Sequence, residues 1–128
     1  MQPNKRSRKR ARQAEEADEA RSRFRWALLA SDALRKISLS ELGLSVVDVE
    51  ILPDLSGDPN GMCGYIIFAS RAEVKRAHRP GAASSIESKV RSGLADAGFP
   101  SSAIESFEVR TTSLPDIEAG GGRFHFFR

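Results

Sequence analysis

The stretch KRSRKRAR, Lys5 to Arg12, places six cationic side chains in eight residues with no acid among them. Lys5, Arg6, Arg8, Lys9, Arg10 and Arg12 can each neutralise a phosphate, which gives an attraction to polyanions that is indifferent to sequence and falls steeply with salt. A solubilising tail accounts for the same residues more plainly, and a nuclear-import signal fits them if the source has a nucleus. Attachment to a membrane surface is disfavoured, because the polar segment that follows has no apolar face to insert.

A second candidate lies at the other end of the chain. Read as a strand, RFHFFR puts Phe124 and Phe126 on one side and Arg123, His125 and Phe127 on the other. Joined by Arg110 on an open sheet face, the second set offers cations, a ring and an imidazole that could stack on exposed bases. Asp48, Glu50, Ser106 and Glu108 share that face, and the carboxylates among them repel phosphate. In the competing reading, Phe127 caps the edge of the core or seals a homodimer.

Other chemistries lack the residues they need. Cys63, His78 and His125 have no paired spacing for zinc. DLSGDPNG fails as a calcium loop, because counting from Asp54 puts Pro59 where the sharp turn requires glycine. A base-stacking strand needs a cation followed by alternating aromatics, whereas GMCGYIIFAS carries Cys63, Ile67 and Ser70 at those places. The glycines at 120–122 precede an expected strand and so cannot cradle phosphate at a helix amino terminus. Cys63, entering an apolar strand, reads as a small buried hydrophobe more readily than as a nucleophile. No catalytic residue, metal or cofactor is expected.

These groups need a scaffold, and the composition is that of a folding chain: 40% apolar and 29% charged residues are ordinary for a globular domain. The net charge of +3 is unevenly spread, with nine basic and four acidic residues in 1–25 against eleven and thirteen in 26–128. Basicity therefore belongs to the amino-terminal end. One cysteine excludes an internal disulfide and agrees with a reducing compartment. No stretch reads as a signal peptide or a membrane span, so a cytosolic protein is expected, or a nuclear one in a eukaryote.

Residues 1–12 lack apolar periodicity and read as a disordered basic arm, with a single α+β domain over 13–128. That domain opens with a long helix from about Arg12, of which Trp26, Ala30, Ala33, Leu34 and Ile37 form the packing stripe. SVVDVEIL and GYIIFA alternate or run apolar as strands of a hairpin. Ser70 with Glu73 has the spacing of a capping box, and Ala83, Ile86, Val90, Leu94 and Ala97 mark a second main helix. IESFEVRTT and RFHFFR supply two further strands across a turn-rich link. The order αββ-αββ predicts a four-stranded, mainly antiparallel sheet with two main helices on one face, consistent with an internal duplication.

The functional expectation is a small non-enzymatic binding module whose arm contacts RNA, DNA or a ribonucleoprotein. The alternative is a protein-interaction or inhibitor-type subunit that binds a partner, or itself, through the open sheet face.

Overall fold

The computed structural model describes residues 5–54 and 56–128, with the side chains of 17–23 outside the described set. Met1–Asn4, the first residues of the expected arm, lie outside it as well. Helix α1 spans Lys5–Arg35, and a 3-10 turn, Ser40–Leu42, leads into β1, Val46–Leu52, and β2, Cys63–Phe68. Three helices follow, α2 Arg71–Ala77, α3 Pro80–Asp96 and α4 Ser101–Ser106, before β3, Glu108–Ser113. Two short helices, α5 Leu114–Ala119 and α6 Arg123–Phe126, end the chain.

The class is α+β, but the sheet has three strands in the order β1-β2-β3, not four. β1 and β2 pair antiparallel, as their hairpin pattern predicts, whereas β3 joins β2 in parallel. A parallel neighbour needs a long crossover, here supplied by α2, α3 and α4. The αββ-αββ order and the duplication built on it therefore fail, since the second half contains only one strand.

RFHFFR is the fourth strand that does not form. Neighbouring side chains of a strand point to opposite faces, yet Phe126 and Phe127 both meet the ring of Tyr65, at centroid distances of 6.1 and 4.9 Å. The helical turn Arg123–Phe126, with Phe127 as its cap, brings both rings to one target. The preceding link is also helical where turns are expected. Ser113 caps α5 by accepting from the Asp116 N–H, and its own hydroxyl donates to the Asp116 carboxylate at 2.8 Å.

Alternation along the strands divides the sheet into two faces. Val49, Ile51, Gly64, Ile66, Phe68 and Val109 share the face covered by α1 and α3, where Leu34, Val90, Leu94 and Phe99 complete the core. Phe68, Leu34, Ile66 and Leu94 are completely buried there. The other face carries Asp48, Glu50, Tyr65, Ile67, Arg110 and Thr112. The carboxyl-terminal helix covers part of it, through Arg123 on Asp48 and Glu50 and through Phe126 on Tyr65, while Glu108 and Arg110 stay exposed. Thus helices pack on both faces of the sheet, not on one.

Local signals place the helices well. The Ser70 hydroxyl accepts from the Glu73 N–H, while the Glu73 carboxylate accepts from that hydroxyl at 3.2 Å and from the Ser45 N–H at 3.0 Å. Pro80 sits in the first turn of α3, where its missing N–H costs nothing. Gly98, at φ +89°, ends that helix and lets the Phe99 N–H return to the Leu94 carbonyl.

Candidate nucleic-acid interface

α1 is one continuous helix of 31 residues, so it is roughly 46 Å long at about 1.5 Å per residue. Its packing stripe, from Trp26 through Ala30 and Ala33 to Leu34, lies wholly in the carboxyl-terminal part. Every residue from Lys5 to Glu16 is exposed. The helix begins well before Arg12, so all six candidate cations of the amino-terminal run are carried on its opening turns.

Helical geometry spreads these cations broadly. At 3.6 residues per turn, Arg8, Arg12, Lys5, Lys9, Arg6 and Arg10 cover an arc of roughly 200°, leaving Ser7, Ala11 and Ala14 on the remaining side. The first turn has no acidic residue. Cations there oppose the partial positive charge of the helix amino terminus, which a bound anion would offset.

Of the remaining candidates, Arg110 lies on β3, Arg123 and His125 on α6, and Phe127 directly after that helix. Arg110 donates from Nε to the Glu108 carboxylate at 3.0 Å and from Nη1 to the Tyr65 hydroxyl at 3.4 Å. These two acceptors push the Arg110 pKa up, the tyrosine contributing more. Arg123 donates to Asp48 at 2.7 Å, to Glu50 at 2.6 Å and to the Val49 carbonyl at 3.0 Å. Its guanidinium clamps α6 to β1. Phe127 is half-buried against Tyr65, and His125 is exposed with its ring 5.5 Å from that of Phe124. Tyr65 is the hub joining Arg110 and Phe127, and no cation or acid marks it in the sequence. The period-two pattern of CGYIIF was its available signal, since it sets Tyr65 opposite the buried Gly64 and Ile66.

Arg110 and Arg123 thus both face carboxylates of their own chain. The hydrogen bond from Arg123 is the largest influence holding the Asp48 carboxyl below the ordinary aspartate value of 3.8, against the opposing effect of burial. An acid with a lowered folded value contributes stability that is complete above its unfolded value and is lost as pH falls through the folded one. Arg123→Met is therefore expected to cost about 1–2 kcal/mol at neutral pH, the range for charge-assisted bonds discounted for partial exposure. The gap between variant and wild type should narrow below about pH 4. Urea unfolding across pH checks this, and a gap independent of pH would count against the clamp.

Burial is the main cause pushing the Cys63 thiol up, so it stays protonated near neutrality. His78 Nε2 lies 2.7 Å from the Thr111 hydroxyl, in a bond across α2 and β3. Among the described residues, no group of three or more His, Cys, Asp or Glu could hold a metal ion, and no helix is long and apolar enough to cross a membrane.

The fold and surface together describe an α+β body carrying an exposed basic helix. Compared with known proteins, the chain matches no family model, no curated protein and no solved structure at a significant level.

Proposed function

We propose that this chain is a non-enzymatic binding module whose basic helical end contacts RNA, DNA or a ribonucleoprotein. What carries the reading is the exposure of Lys5, Arg6, Arg8, Lys9, Arg10 and Arg12 on a helix that packs only through its far end. A cationic helix can follow a groove and neutralise phosphates on either side of it, with affinity governed by charge and not by base identity. On this reading the four sheet-side candidates contribute little to polyanion binding, because Arg110 and Arg123 already face carboxylates.

Titrating the full chain into labelled single- and double-stranded RNA and DNA at two salt concentrations tests the proposal. Micromolar or tighter binding that weakens steeply with salt is expected, with little preference among sequences. Absence of binding at low salt overturns it.

A second reading assigns the body to protein interaction in a cytosolic or nuclear setting. The observation favouring it is a cleft of about 790 Å³ along β3, lined by Ile86, Phe107, Val109, Tyr65 and Phe126 among others.

A further inference from the structure

The two outer edges of the sheet differ. β1 has a bulge between Val46 and Asp48, and Arg123 donates to the Val49 carbonyl. Bulges and occupied carbonyls are devices that blunt an edge against pairing. β3 has neither. Its Glu108 N–H donates to the Met62 carbonyl, and the parallel register turns the peptide groups of Glu108, Arg110 and Thr112 toward β2. The peptide groups of Val109 and Thr111 therefore face outward, into the cleft that runs along this edge.

We propose that the β3 edge pairs antiparallel with the β3 edge of a second copy of this chain, about a twofold axis at Val109. This rests on the body being an interaction surface and is independent of the basic helix. The charges select both the partner and the register. With Val109 opposite Val109, each Glu108 lies directly across from Arg110 of the other copy, in the pair type where side chains approach most closely. Because only alternate residues turn their peptide groups outward, other registers differ by steps of two residues. A slip one way sets Arg110 against Arg110, and a slip the other way sets Glu108 against Glu108. Glu108 and Arg110 are both exposed and already bridge at 2.9 Å on the same face, so exchanging partners across the axis requires little movement. The pairing would also cover part of the apolar lining of the cleft, including Ile86 and Phe107.

Sedimentation velocity of the full chain over a range of concentrations, without nucleic acid, tests the proposal. The wild type is expected to associate reversibly as a dimer. Arg110→Glu replaces both cross-strand attractions with repulsions and should raise the dissociation constant by about tenfold or more. Combining it with Glu108→Arg restores complementarity and should restore the dimer. Urea unfolding of each variant separates lost pairing from lost folding. A wild type that stays monomeric at every concentration overturns the proposal, as does Arg110→Glu associating like wild type. So does failure of a folded double variant to recover.

Discussion

Replacing Lys5, Arg6, Arg8, Lys9, Arg10 and Arg12 together with alanine is expected to reduce nucleic-acid affinity by about two to three orders of magnitude at low salt. It should also flatten the dependence on salt. If all six cations contact B-form DNA, the wild-type slope of log affinity against log salt is roughly −5, and removing them should bring it near zero. Alanine suits this test because it has the highest helix propensity of any residue, so the substitutions favour the opening turns of α1 while deleting their charge. Circular dichroism showing undiminished helix would then assign the loss to charge alone. Unchanged affinity in the variant would remove these residues from the function and leave the α+β body as the binding element.

The second large effect concerns what anchors that helix. Leu34 is 1% exposed, and a methyl group built on Gly64 would lie 2.8 Å from Leu34 Cδ2 and 2.7 Å from Phe107 Cζ. The close approach of α1 to the sheet thus depends on a strand residue with no side chain. Leu34→Ala is expected to cost about 3–4 kcal/mol through lost burial and the cavity left behind. Gly64→Ala alone should cost about 1–3 kcal/mol by overpacking, since both neighbours must shift. The two losses should not add, because shortening Leu34 makes room for the new methyl group. A double-mutant cycle by urea unfolding is expected to show the pair less destabilised than the sum by about 1 kcal/mol. Strict additivity would mean that Phe107, and not Leu34, sets the cost of the added methyl group.

How much could be read before folding depended on the range of the interaction. The packing stripe of α1, the Ser70–Glu73 capping box and the β1–β2 hairpin are written within a few residues each, and the structure contains all of them. RFHFFR shows the limit of that reasoning. Its alternation of rings and polar groups satisfies the period of a strand, but Arg123 meets Asp48 and Glu50 more than seventy positions away, and with Phe126 and Phe127 on Tyr65 this draws the segment into a helix. Tertiary contacts override a short, weak propensity of this kind.

The sequence alone determined the α+β class, the division between a basic amino-terminal segment and a nearly neutral body, and the six-cation cluster, because composition and short-range periodicity are local quantities. Only the tertiary structure decided that β3 runs parallel to β2 and that RFHFFR does not form a fourth strand. It also decided that Arg123 and Arg110 face carboxylates and that the Val109 and Thr111 peptide groups turn away from β2. Each of these outcomes depends on which distant residues meet once the chain has closed its long crossover, and no local pattern of side chains encodes that meeting.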